Sequence, residues 1–393
     1  MDKINLLLEQ LVKKFNKTYK NDSKYFYSLA PGRVNLIGEH TDYHNGFVLP
    51  AAISLYTAAV ASPNKEPIFN IYSEDFGELF TFSLAKKMEK TNKWTCRLEG
   101  IIRDTLRDKL NPVGANIFIG GDLPIGKGLS SSASSMAAVG AVIAYMNQIQ
   151  LDKIDFAHKL QKAEHIYGGV ICGLMDQLAV LFGKEEHALL IDCSNNNIDF
   201  IKIPEHFAIV VFDSGVKHEL ASSEYNKRRE ECSIALEILK NTVPEALTLR
   251  DIKFTDLGKS FTQLDEKLYK RLYHVLKENE RVLETVKAFK DNNKERISEL
   301  FLESHLSLKY NYEVSCKELD ILVENASKIN GFIGARMTGG GFGGCTVNIV
   351  EKNAAFEFLE QLKQYYHKTT NAKYLWGIIA NITGGLVCGN YNG

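Results

Sequence analysis

The chain has 393 residues, 24 % of them charged, with 47 Lys plus Arg against 48 Asp plus Glu for a formal net charge of -1. That length exceeds what one hydrophobic core usually supports, so two lobes are expected, and the near balance of charge excludes an electrostatic nucleic-acid binder. The longest apolar run, Met136 to Met146, is interrupted by Gly140 and Tyr145 and falls short of the roughly 18 residues of a membrane span, so no membrane partner is expected.

Taken in chain order, Ile4, Leu7, Leu8, Leu11 and Phe15 fall at helical spacing among lysines, a pattern unlike an export signal, and a cytoplasmic location is expected. From Tyr25 to about Tyr72 the β-rich runs Phe47 to Leu49, Thr57 to Val60 and Ile68 to Tyr72 predict a sheet whose loops are dense in polar residues. Small and apolar residues predict a buried helix from Ala133 to Tyr145, and a second from about Asp155 ends at the Gly168-Gly169 stop. Strands are expected at Ala188 to Ile191 and Ala208 to Phe212. The stretch from Leu264 to Asn330 carries helical periodicity through Leu268, Leu272, Val275, Val282, Val286, Phe289, Ile297, Leu300 and Phe301. Two strand-like runs follow, Phe332 to Met337 and Cys345 to Val350, then a helix from Ala354 to Tyr366 and a last strand-like run, Trp376 to Val387. Seven cysteines are scattered without any CxxC pair and read as reduced, mostly buried thiols.

Two glycine-rich segments and one polar cluster stand out. Asp122-Leu-Pro-Ile-Gly-Lys-Gly-Leu-Ser-Ser-Ser-Ala places Gly126 and Gly128, then Ser130, Ser131 and Ser132, directly before a helix. Glycines let backbone N-H groups wrap an anion, serines can cap the helix, and its positive dipole end favours phosphate. An ordinary Gly/Ser loop with a good cap is the plain alternative, and no Walker lysine follows the second glycine. The cluster Gly339-Gly-Gly-Phe-Gly-Gly has more glycine than a tight turn needs. Arg33, Glu39, His40 and Asp42 fall within ten residues between apolar runs, a group able to bond several sugar hydroxyls, or else a solvated polar loop. Glu164 shares a helix face with Ala157, Leu160 and Tyr167 and so points inward, which implies either a structural ion pair or a magnesium site. Asp176 reads most simply as a helix-terminus acid.

Together these blocks resemble the GHMP kinase superfamily and, within it, the galactokinases. Arg33-Val-Asn-Leu-Ile-Gly-Glu-His-Thr-Asp-Tyr is similar to the galactokinase signature, Leu123-Pro-Ile-Gly-Lys-Gly-Leu-Ser-Ser-Ser-Ala to the ATP loop, and Arg336-Met-Thr-Gly-Gly-Gly-Phe-Gly-Gly-Cys-Thr to the third motif. The shorter segments Gly173-Leu-Met-Asp-Gln and His218-Glu-Leu-Ala-Ser-Ser-Glu-Tyr agree. The resemblance implies a two-lobed α/β and α+β fold: an amino-terminal mixed-sheet lobe over residues 1-195, to which residues 376-393 return, and a ferredoxin-like lobe over 196-375, with the site between them.

It further implies transfer of the terminal phosphoryl group of ATP to the C1 hydroxyl of galactose with Mg2+ as cofactor. Position by position it implies Asp176 as catalytic base and Arg33 as the cation beside it. Glu39, His40, Thr41, Asp42, Gly173 and Tyr225 are implied as sugar contacts. Ser73, Trp94, Gly126, Lys127, Gly128, Leu129, Ser130, Ser131 and Ser132 are implied as nucleotide contacts, and Ser132 and Glu164 as metal ligands. A monomer is the default. A kinase for N-acetylgalactosamine or another sugar, and a galactose sensor without turnover, are the competing readings. Three departures from the pattern stand out: His44 replaces a usual asparagine, Met136 a common glutamate, and Cys96-Arg-Leu-Glu-Gly the usual Asn-Tyr-x-Lys-Gly.

Overall fold

The computed structural model describes residues 2-20, 24-64, 66-89, 93-216, 221-256 and 263-391. The first three residues of the segment expected at His218, 218-220, lie outside these. Strands β1 (Tyr25–Asn35), β2 (Phe47–Val48), β3 (Pro50–Pro63), β4 (Ile68–Ser73), β5 (Glu78–Ser83) and β6 (Ala115–Gly121) open the chain. They are followed by β7 (His187–Asp192), β8 (Asn197–Lys202), β9 (Phe207–Asp213), β10 (Phe332–Thr338), β11 (Cys345–Glu351), β12 (Gly377–Ala380) and β13 (Val387–Tyr391).

The expected two-lobed fold is borne out. The first lobe is built on a six-stranded sheet in the order β13-β1-β3-β6-β4-β5, mixed because β4 runs parallel to β6 while its other pairings are antiparallel. The second lobe is built on an antiparallel sheet in the order β10-β11-β9-β12. Numbered in chain order that is 2-3-1-4, the ferredoxin-like arrangement. The run from Trp376 divides: β12 joins the second sheet and β13 returns to pair with β1. The hairpin of β7 and β8, which with β2 forms a third small sheet, crosses the expected junction at 195/196.

The helix Ser131–Met146 is apolar all round, which suits its burial between the six-stranded sheet and neighbouring helices. Met136 is fully buried in that core and touches no site residue by hydrogen bond, so its place in the chain is one of packing. The helix Lys153–Ala163 begins two residues earlier than the sequence indicates, because Asp152 caps it by accepting from the Asp155 N-H. It passes into a π-turn, Glu164–Gly168, before the Gly169 stop. The predicted helical stretch after Leu264 resolves into Glu266–Lys290, Lys294–Ser307 and Lys317–Ala326. None of the seven cysteines is in a disulfide; three are buried and four half-buried. Among the described residues no helix is long and apolar enough to cross a membrane.

Candidate active site

The sequence suggests a loop for the segment around Arg33, but Arg33 sits on β1. Pro31 and Gly32 are accommodated there by a register shift between them. Gly32 is required: a Cβ on it would stand 2.9 Å from the Leu129 carbonyl oxygen and closer still to the Leu123 side chain. The close approach seats β1 against the first glycine loop, where the Arg33 N-H donates to Leu129 O at 3.2 Å. The Arg33 guanidinium, itself buried, donates through Nε to Asp176 Oδ1 at 2.8 Å and through Nη1 to Gly128 O at 2.6 Å. Asp176 lies in the first turn of the helix Met175–Phe182 with its carboxylate partly open.

A cavity of about 570 Å³ opens around this pair, between the two glycine loops. Its lining includes Arg33, Glu39, His40, Asp42, Asp176, Tyr225, Gly126, Gly128 and the serines 130, 131 and 132, closed on the far side by residues 338 to 344. A second cavity of about 240 Å³ adjoins it, sharing Ile125, Gly126, Ser131 and Ser132, and is walled by Ser73, Phe76, Trp94 and Arg97. The Phe76 and Trp94 rings stack at 4.9 Å and 9°.

Ser130 does not cap the helix it precedes, contrary to the sequence reading. Its backbone is left-handed at φ 63°, and its buried hydroxyl has no partner. Ser132 stands inside the helix and donates to Glu164 Oε2 at 2.5 Å, while Arg97 Nη1 donates to both Ser132 Oγ, at 2.8 Å, and Glu164 Oε1, at 2.9 Å. The two oxygens face each other at the amino end of a long helix. Among the described residues no group of three or more His, Cys, Asp or Glu could hold a metal. A pair of hard oxygen ligands fits Mg2+, which commonly takes one or two protein oxygens and completes its shell with water and phosphate.

Not every residue implied by the resemblance reaches the cavities. The Thr41 hydroxyl bonds the Gly38 and Phe47 carbonyls and closes the turn behind the wall. Gly173 lies against Asp42, whose carboxylate oxygen would stand 2.3 Å from any added Cβ. Lys127 is ion-paired with Asp213 beneath the Tyr374 and Trp376 rings, and the Leu129 side chain is buried.

Burial sets the electrostatics of the wall. It pushes the Asp42 carboxyl up to about 7, with the Asp176 charge adding to the effect. It holds the His40 imidazole well below its ordinary range and His44 down to about 3. Glu39 is raised by burial too, against the pull of Arg336. In the sequence that arginine stands out only as the first residue of the third motif, yet it is fully buried and ion-paired with Glu39. The signal was present: an arginine stands in an otherwise uncharged strand, on the face of β10 shared with Thr338.

Residues 13–63 match the galactokinase galactose-binding signature, 97–184 the GHMP kinases N terminal domain and 285–368 the GHMP kinases C terminal model. Galactokinase of Thermosipho africanus is 42 % identical over 344 residues, spanning 86 % of this chain and 93 % of that protein. Galactokinase of Chloroflexus aggregans is 41 % identical over 91 % of this chain and 92 % of its own. The chain belongs to the galactokinase family. The crystal structure of Lactococcus lactis galactokinase complexed with galactose superposes with a TM-score of 0.91 at 32 % identity, over 97 % of this chain and 99 % of that one. A mevalonate kinase, at TM-score 0.62 and 18 % identity, shares the fold alone. As a galactokinase-family member the chain is an enzyme.

His44, where galactokinases usually carry asparagine, has a measurable consequence for this family member. Its imidazole is buried and neutral in the fold, whereas in the unfolded chain it takes up a proton below about pH 6.5. Its contribution is therefore complete above that pH and is lost as pH falls toward 3. Relative to wild type, His44→Asn is expected to gain about 2 kcal/mol between pH 7.5 and pH 5. Paired denaturation curves at the two pH values check this, and an unchanged difference would show that His44 takes up its proton in the fold as readily as in the unfolded chain.

Proposed function

We propose that the protein transfers the γ-phosphoryl group of ATP directly to the C1 hydroxyl of galactose, giving galactose 1-phosphate and ADP, the first step of galactose use by the Leloir pathway. One observation carries the reading: the Arg33 guanidinium bonds the Asp176 carboxylate on one side and the Gly128 carbonyl of the glycine loop on the other. It thus ties the group that takes a proton to the loop suited to hold phosphate.

In this reading the sugar sits in the larger cavity against Glu39, His40, Asp42 and Tyr225, and the base of ATP enters the smaller one between Ser73 and Trp94. The first lobe, through residue 195, supplies all of these groups but Tyr225, and the lobe from 196 to 375 supplies Tyr225 and closes the cavity with its glycine cluster. Phosphoryl transfer passes through a loose transition state, so the chain mainly positions the reactants and neutralises oxygen charge. The amino end of the helix Ser131–Met146, free of side-chain capping by Ser130, directs N-H groups at the phosphates. Asp176 accepts the C1 hydroxyl proton as the new O-P bond forms. Arg33 keeps that carboxylate in place and offsets charge on the transferred group. Mg2+, held by Ser132 and Glu164, would supply neutralisation of the phosphate oxygens.

Neutral His40 and Asp42, the latter near half-ionised at pH 7, give the sugar wall both donors and acceptors, a match to hydroxyls of both senses. Release of ADP should be fastest with galactose in a panel that includes N-acetylgalactosamine, glucose, arabinose and mevalonate. A different preferred acceptor would move the substrate, and no ADP with any of them would make the protein a sensor.

A further inference from the structure

The oxygens of Ser132 and Glu164 are already bridged by a cation belonging to the chain. Arg97, on the helix Trp94–Thr105, places Nη1 within 2.8 Å of Ser132 Oγ and 2.9 Å of Glu164 Oε1. The Glu164 side chain is only 10 % exposed, so its charge needs a partner close by. Arg97 is that partner. The anchorage is narrow, however: the neighbouring Nε is buried without any acceptor. The nearby Glu99 does not share the load, being paired with Arg103 at 2.7 Å.

A divalent ion on the same two oxygens, at roughly 2.0 to 2.1 Å, would use lone pairs that now accept from Nη1 and would stand beside a second positive charge. The two cations therefore compete for this oxygen pair. We propose that Arg97 is a resident counter-cation that a divalent metal must displace. Arg97 then opposes metal uptake by the nucleotide-free enzyme, and the polyanionic nucleotide tips the exchange by bringing charge enough for both. This rests on the reading that Ser132 and Glu164 hold the metal. The substitution of Cys96-Arg-Leu-Glu-Gly for the usual Asn-Tyr-x-Lys-Gly is the sequence trace of the device.

Mn2+ is the probe, titrated into nucleotide-free protein by calorimetry. Arg97→Met removes the charge and keeps much of the length, and should bind Mn2+ at least about tenfold more tightly than wild type. Adding Glu164→Gln should abolish that gain. In chelator the Arg97→Met protein should melt below wild type, and Mn2+ should restore it while barely moving the wild-type transition. Equal Mn2+ affinity in Arg97→Met and wild type, with a melting loss that Mn2+ leaves unrepaired, would make Arg97 an ordinary ion-pair residue and overturn the proposal. Should Arg97→Met not accumulate folded, Arg97→Gln, which also removes the charge but keeps a hydrogen-bond donor, should show the same direction of gain, and no gain there overturns the proposal equally. The metal reading has its own control. If Glu164→Gln alone leaves Mn2+ affinity in the presence of a non-hydrolysable ATP analogue unchanged, the ligand pair itself is misassigned. If it weakens that affinity while Arg97→Met changes nothing, only the displacement idea falls.

Discussion

Asp176→Asn is expected to lower kcat by about a thousandfold while leaving KM for galactose nearly unchanged. A positioned general base contributes some 10²- to 10⁴-fold, and its loss acts on the transition state alone. Asparagine has the same shape, and its amide oxygen can still accept from Arg33 Nε, which now lies 2.8 Å from the Asp176 carboxylate. The fold and the cavity wall therefore stay in place, and what the variant loses is the capacity to take a proton. Steady-state kinetics with a melting curve on the same preparation separate this from misfolding. Turnover within about tenfold of wild type would remove Asp176 from the chemistry.

The largest effect on stability is expected at Arg336, which no solvent reaches. Its guanidinium is ion-paired with Glu39, donates to Leu36 O at 3.1 Å and Ser304 Oγ at 3.1 Å, and stands 3.8 Å from Glu278. Removing one partner of a buried pair leaves an uncompensated charge and costs about 3 to 5 kcal/mol. The two carboxylates would suffer unequally. Burial pushes Glu278 up, but Arg281, 2.8 Å away, together with His274 and Arg336 outweighs it and holds the carboxyl near 2. Among the described residues Glu39 has no second cation and would be left with the Gly339 N-H, 3.0 Å from Oε1, and the Thr338 hydroxyl, 3.3 Å from it. Arg336→Met should accordingly lose several kcal/mol by denaturant titration, and Arg336→Met with Glu39→Gln should recover most of that loss. A single variant as stable as wild type would mean that the ion pair contributes nothing.

The fold could be read in the sequence wherever one period ran uninterrupted. Leu268 to Phe301 kept helical spacing and became two long helices, and β10 and β11 fell where apolar runs flanked the glycine cluster. What escaped was structure made by tertiary contact. β1 runs through Pro31 and Gly32, which local rules treat as breakers, because a register shift and the neighbouring loop absorb them. The strand β6 and the helix Trp94–Thr105 gave no clear signal, the latter because Gly100 and polar residues interrupt its apolar face.

At the site, the residue types were legible and their partners were not. The sequence offered either an ion pair or a metal for Glu164, and the pair is visible in the fold with an arginine 67 positions away. Nothing local could indicate that Arg97 would reach it, or that Arg336 would bury itself against Glu39. Both are pairings across lobes or between distant helices, where spacing carries no information.

The return of β13 to β1 fixes an order of events during synthesis. Phe26 to Leu29 pair on one side with β3, available early, and Tyr25 to Leu29 on the other with Val387 to Tyr391, which follow only after the whole second lobe. Until those residues clear the ribosome, the first sheet carries an open border of unsatisfied amide and carbonyl groups, the template on which nascent chains join to one another. The nascent protein thus holds its first lobe in near-complete form while one seam stays unsewn.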